Sequence, residues 1–229
     1  MKKGTLIVIE GTDGVGKSTQ FARLCQRAEA EGIPFRRLVF PQYEEDSSAL
    51  IRMYLAGEFG KRPGDVNPYA ASAFYAVDRY ASWKKMWQGW YEAGGLVLAD
   101  RYTTSNAVHQ TSKLPKEAQT PFLDWLRDFE YDKLGLPEPD LVILLDVPTD
   151  RSEELLRRRE AATHTAGDIH ETDRDYLSAC RAAAQTAAAV WGWRKISCLD
   201  ESGDFRSVED IHREIWEAAA PLLKEKEES

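Results

Sequence analysis

Cysteine is scarce in this chain of 229 residues: Cys25, Cys180 and Cys198 are the whole complement, and they lie far apart. That spacing excludes a disulfide framework and a cysteine zinc site, and leaves reduced thiols as the expectation. Long apolar runs are missing too. Leu6-Ile-Val-Ile9 stops at Glu10, too short for the core of a signal peptide, and nothing approaches the roughly 20 apolar residues of a membrane span. A soluble, cytoplasmic protein with no membrane partner is therefore expected. Positive charge is also not in excess, with 30 Lys and Arg against 38 Asp and Glu, a net charge of −8. General nucleic-acid binders gain most of their affinity by neutralising phosphates, so nucleic acid is not an expected partner.

What the chain has instead is alternation. At 43% hydrophobic residues it is long enough to bury one sizeable core, and no stretch reads as an interdomain linker, so residues 1–229 are read as a single domain. Short β-branched or apolar runs at Thr5 to Ile9, Phe35 to Phe40, Leu96 to Ala99, Leu141 to Leu145 and Arg194 to Cys198 predict five strands. Helices are expected between them: about Lys17 to Glu31, Ser47 to Ala56, Asn67 to about Tyr91, and most of Ser105 to Tyr131. Two more follow over about Asp150 to Arg159 and Thr172 to Trp191, and the last covers Ser207 to about Lys224. Strands alternating with helices imply an α/β fold, a mainly parallel five-stranded sheet covered on both faces. Such sheets bind ligands beyond the carboxyl ends of their strands, where Gly11, Pro41, Asp100 and Asp146 all fall.

Gly11-Thr-Asp-Gly-Val-Gly-Lys-Ser18 matches G-x-x-x-x-G-K-[ST] between a predicted strand and a predicted helix. Gly11, Gly14 and Gly16 are expected at positive φ, turning backbone N–H groups around an anion. Lys17 reaches the β- and γ-phosphates of such a nucleotide, and Ser18 offers a hydroxyl to Mg²⁺. This is the phosphate loop of a P-loop NTPase. No Asn-Lys-x-Asp motif accompanies it, which removes GTPases, and the length suits a small nucleotide kinase.

Four further stretches, with the loop, carry a resemblance to the thymidylate kinase family: Phe40-Pro41, Phe74-Tyr-Ala-Val-Asp-Arg79, Asp100-Arg-Tyr-Thr-Thr-Ser-Asn-Ala-Val-His-Gln110, and Leu145-Asp146-Val147 ahead of an arginine-rich segment. The resemblance implies transfer of the γ-phosphoryl group of MgATP to dTMP, giving dTDP. It implies that ATP is held by the loop from Gly11 through Thr12, Asp13, Gly14, Val15, Gly16, Lys17 and Ser18 to Thr19. It places Asp13 also at the 3′-OH of dTMP, and Phe40 and Pro41 in the dTMP pocket. Tyr75 would stack on thymine, Arg79 would bind on the dTMP side and Arg101 would touch its phosphate. Asp100 would support Mg²⁺, and Ser105, Asn106 and Gln110 become candidates for reading the base. His109 is read as packing. A homodimer is expected, as in the family.

Periodicity gives Tyr75 and Arg79 one helix face, while Phe74, Val77 and Ala81 form the expected core stripe. A mobile lid over about 157–171 is expected to close on ATP, with Arg157 or Arg159 joining Lys17 and Arg101 in catalysis. There are two departures from the family pattern. Tyr43 replaces the arginine of Phe-Pro-x-Arg, leaving Arg79, Arg101 or Arg52 to hold phosphate, and Ile169 replaces a lid arginine.

Overall fold

A computed structural model describes residues 3–12, 14–152 and 174–224. The phosphate-loop residue Asp13, the lid at 157–171 and its Arg157 and Arg159 lie outside the described residues.

All five expected strands form: β1 (Thr5–Glu10), β2 (Phe35–Val39), β3 (Leu96–Asp100), β4 (Leu141–Asp146) and β5 (Arg194–Ser197). They pair in the order β2-β3-β1-β4-β5, and every pairing is parallel. The three inner strands are the continuous apolar runs, as burial on both faces requires. The edges carry Arg36, Arg37, Arg194 and Lys195, charges that discourage pairing with a further strand.

Because side chains alternate across a strand, the sheet divides its apolar residues between two cores. Ile7, Ile9, Leu98 and Ile143 face one layer, where Phe21 and Leu24 of α1 (Lys17–Ala30) meet a helix over Val208–Lys224. Leu6, Val8, Val97 and Leu144 face the other. That second layer is built from a helical run of three pieces: α3 (Pro68–Ser82), a π turn at Trp83–Trp87, and α4 (Gln88–Glu92). With it stand α5 (Thr103–His109), α6 (Lys116–Arg127) and α7 (Arg174–Trp191). The short α2 (Ala49–Leu55) leans on α3, and α8 is the helix at Val208–Lys224.

One expectation about α3 is reversed. Its buried residues are Ala71, Ser72, Ala76, Asp78, Arg79 and Ser82, whereas Val77 of the supposed core stripe is 54% exposed. The polar side is turned inward because it finds partners there, as described below. The chain leaves β1 for β2 and β3 on one side of the sheet and adds β4 and β5 on the other. The crevice at the carboxyl end of β1 is therefore the topological switch point. Among the described residues, no helix is long and apolar enough to cross a membrane.

Candidate active site

A cavity of about 590 Å³ opens at that switch point. Its floor on one side is the phosphate loop: Gly14, Gly16, Lys17, Ser18 and Thr19 line it, and Lys17 is buried. Gly14 (φ 80°) and Gly16 (φ 82°) take the left-handed conformation that only glycine adopts cheaply. Gly11 does not. A Cβ there would lie 2.7 Å from Val15 Cγ2 and 3.2 Å from the Leu145 carbonyl, so glycine is required for close packing against β4. The Thr12 and Val15 side chains are buried away from the cavity, Val15 in the core beneath α1. The N-terminus of α1 begins at Lys17, adding its partial positive charge to the same side.

Opposite the loop, β3 ends in Asp100 and Arg101. Asp100 is buried, and its Oδ1 has no hydrogen-bond partner among the described residues. Arg101 sits at φ 66°, left-handed for a residue with a Cβ, while its N–H donates to the Ile9 carbonyl at 3.1 Å. Strain of this kind persists where the surroundings over-determine it. The surroundings here centre on Glu10, fully buried at the end of β1. Glu10 accepts from the Gly11 N–H at 2.9 Å, Thr104 Oγ1 at 2.6 Å and Ser105 Oγ at 2.8 Å, and lies 3.8 Å from Arg101 Nη1. One carboxylate thus ties the phosphate loop to α5. Ser105 lines the cavity, its hydroxyl donates to Glu10, and its oxygen accepts from Arg101 Nη1 at 3.4 Å.

His109 packs as expected and also faces the site. It lines the cavity, its Nε2 lies 3.1 Å from Arg101 Nη1, and its ring stacks on Tyr176.

At the far end stand Tyr75, Arg79, Asn106 and Gln110. Arg79 is 2% exposed and forms a two-point ion pair with the fully buried Glu130. Asn106 Nδ2 donates to Glu130 at 2.9 Å and to the Ser72 carbonyl at 3.2 Å. Gln110 is 1% exposed, and its Oε1 has no partner among the described residues.

The side wall is the segment after β2, where Phe40-Pro41 is cis and Phe40 packs 5.9 Å from the Tyr102 ring. Buried Asp78 accepts from the Gln42 N–H (2.9 Å) and Ser47 Oγ (2.6 Å), holding this segment against α3. Arg52 is turned to the same segment. It donates to the Tyr43 and Glu45 carbonyls and to Ser48 Oγ, and does not line the cavity. Tyr43 does line it. At the end of β4, Asp146 pairs with Arg181 at 3.0 Å.

Sequence reasoning missed Glu10, Asp78 and Glu130. Glu10 carried a signal, an acid ending a buried apolar run. Asp78 stood unexamined inside a quoted motif. Nothing near Glu130 marked it.

A parallel sheet with a phosphate-binding loop at its switch point, in a cavity that Arg79 and Arg101 also line, defines a P-loop nucleoside monophosphate kinase. Comparison with known proteins names the branch. A family model described as thymidylate kinase matches residues 9–215, and the chain belongs to the thymidylate kinase family. Thymidylate kinase of Mycobacterium tuberculosis is 34% identical over 192 residues, covering 82% of this chain and 88% of that one. The enzyme of Prochlorococcus marinus is 28% identical over 229 residues, covering 98% and 100%. Among solved structures, thymidylate kinase from Candida albicans superimposes with a TM-score of 0.69 at 20% identity, over 96% of this chain and 92% of that one. This last likeness is one of fold.

Proposed function

We propose that the protein transfers the γ-phosphoryl group of ATP to the 5′-phosphate of dTMP, giving dTDP. The observation that carries this is one cavity lined both by Lys17 and the glycines of the loop and by Arg101. Two anions can meet there only if cations lie on both sides. The acceptor oxygen is already ionised at neutral pH, so no side chain has to remove a proton. Catalysis is positioning and charge neutralisation. Gly14, Gly16 and Lys17 bind the donor phosphates, and Arg101 holds the acceptor phosphate. Tyr75 stacks on the base, bounded by Phe40 and Pro41. Arg79, Asn106 and Gln110 form the base-reading end, and Asp13 meets the 3′-OH.

Mg²⁺ fits the donor set available. Asp100, whose Oδ1 has no hydrogen-bond partner among the described residues, and Ser18 line the same cavity and both offer hard oxygen ligands. Asp100 and Ser18 would hold the ion, which would supply positive charge against the charge that develops in transfer. The contacts of Arg101 with Ser105 and Glu10 help to aim it into the cavity.

The reading extends to the whole chain as a single domain acting in the cytoplasm, with Arg157 or Arg159 completing the charge around the transferring group. It also includes a homodimer. Tyr69, Val77 and Tyr80 lie on one outward face of α3, all exposed, and Tyr69 continues into Trp125 at 4.6 Å. An apolar face of this kind marks a partner surface, and a second copy of the chain is the partner that the family membership supports.

The test is an acceptor panel of dTMP, dUMP, dCMP and thymidine with ATP. Acceptor-dependent ADP release with dTMP preferred is expected. ATP hydrolysis indifferent to every acceptor would overturn the reading in favour of an ATPase, and preference for thymidine in favour of a nucleoside kinase.

A further inference from the structure

The base-reading end of the cavity rests on a carboxylate that does not line it. Glu130 sits on a π turn, Asp128–Lys133, with no exposed side-chain surface. Its oxygens accept from Arg79 Nε at 2.6 Å, Arg79 Nη2 at 2.5 Å, Thr103 Oγ1 at 2.8 Å and Asn106 Nδ2 at 2.9 Å. Arg79 and Asn106 line the cavity, while Thr103 does not.

Two-point pairing fixes the plane of a guanidinium as well as its position. Among the described residues, three of the five N–H groups of Arg79 are engaged, two by Glu130 and one by the Tyr102 carbonyl at 3.4 Å. The remaining two are donors whose positive charge Glu130 has already balanced. The Asn106 amide is oriented by the same carboxylate. A carboxylate and a backbone carbonyl only accept, so the end facing Glu130 and Ser72 is the NH₂ and both its hydrogens are engaged. Its Oδ1 is left to act as an acceptor, like the partnerless Oε1 of Gln110.

The geometry points to Glu130 as the positioning residue for base selection. It sets the donor edge of Arg79 and the acceptor edge of Asn106, and it cancels the Arg79 charge. This end then takes an uncharged base, and the phosphate goes to Arg101. Donors beside acceptors match the O4 and N3–H of thymine. Cytosine presents the reverse, an NH₂ toward the donors and a bare N3 toward the acceptors. This inference rests on the dTMP kinase reading above.

The isosteric Glu130→Gln variant separates positioning from bulk support. The substituted amide brings an NH₂ into a ring of donors, so the Arg79 plane is released and Asn106 is free to reverse. kcat/KM for dTMP is expected to fall about tenfold to a hundredfold, the size of a lost charge-assisted hydrogen bond. The dTMP-over-dCMP preference should shrink by about tenfold or more, with the KM for ATP within about a factor of two. Thr103→Val, a milder change outside the cavity that removes one Glu130 contact, should narrow the preference about threefold in the same direction. Loss of stability alone lowers the amount of active enzyme and leaves the preference unchanged. A wild type that does not favour dTMP over dCMP overturns the function above and this inference with it. A discriminating wild type whose Glu130→Gln and Thr103→Val variants discriminate equally well overturns this inference alone, and Thr103→Val decides it if Glu130→Gln does not fold.

Discussion

Arg101 Nη1 donates to His109 Nε2 at 3.1 Å, which fixes the state of the imidazole. A guanidinium has no lone pair to offer, so Nε2 is the acceptor and Nδ1 carries the hydrogen. Nδ1 faces the Tyr176 hydroxyl at 3.2 Å. His109 therefore aims the guanidinium that meets the acceptor phosphate. His109→Leu is expected to raise the KM for dTMP about fivefold to tenfold, the effect of losing one hydrogen bond that orients a charge. His109→Gln, whose amide oxygen reaches a similar point, should recover most of that loss. Steady-state kinetics with dTMP varied checks both, and identical behaviour of the two variants would refute the assignment.

The two acceptor-side arginines should fail in different assays. Arg79→Ala leaves Glu130 buried without its cation, and breaking a buried pair in this way costs about 3–5 kcal/mol of stability. Its main signature is a lower unfolding midpoint in urea. Arg101 is partly exposed and lies 3.8 Å from the Glu10 carboxylate, so Arg101→Ala should lose less stability than Arg79→Ala. Its kcat/KM for dTMP should fall at least about a hundredfold, because Arg52 is turned away from the cavity. Normal kinetics in Arg101→Ala would show that another cation binds the phosphate.

Lys113 gives the fold a pH dependence of definite sign. Burial beneath α2 pushes its ammonium down to about 8, while it donates to Tyr54 Oη at 2.9 Å and the Val66 carbonyl at 3.3 Å. Between about pH 8 and the ordinary lysine value near 10.4, the unfolded chain binds more protons than the folded one. Stability from this residue is therefore lowest below pH 8 and rises with pH through that window, with a slope approaching about 1.4 kcal/mol per pH unit. Lys113→Met removes the slope. Urea unfolding at pH 7.5 and 10 should show wild type gaining on the variant as pH rises, and a constant difference would contradict the sign.

The outward face of α3 makes its own prediction. Val77→Asp adds a charge to an exposed apolar surface and should leave the monomer folded, because Val77 lies outside the buried core. Sedimentation velocity is expected to show wild type as a dimer and Val77→Asp as a monomer. A wild type that sediments as a monomer removes the homodimer from the proposed function.

What the sequence made legible was local or periodic. All five strands were visible because inner strands of a parallel sheet are continuous apolar runs, and the phosphate loop because its spacing is fixed by the turn it makes. Burial of Arg79 was not legible, since its partner lies 51 positions away and no local pattern links them. The α3 stripe was misread for a related reason. The rule that apolar means inside assumes nothing polar waits within, yet Glu130, Gln42 and Ser47 provide partners for Arg79 and Asp78. Gly11 showed that a motif glycine can be needed for its missing side chain and not for its φ.

The central position of β1 has a consequence during synthesis. Of the five strands this one is made earliest, but its neighbours are β3, roughly ninety residues later, and β4, later still. At about 5–20 residues per second, on the order of ten seconds pass before Asp146 is even made. Through that interval a largely apolar strand has neither of its two sheet neighbours to pair with. The catalytic cleft, bounded by both neighbours, is assembled only when that wait ends.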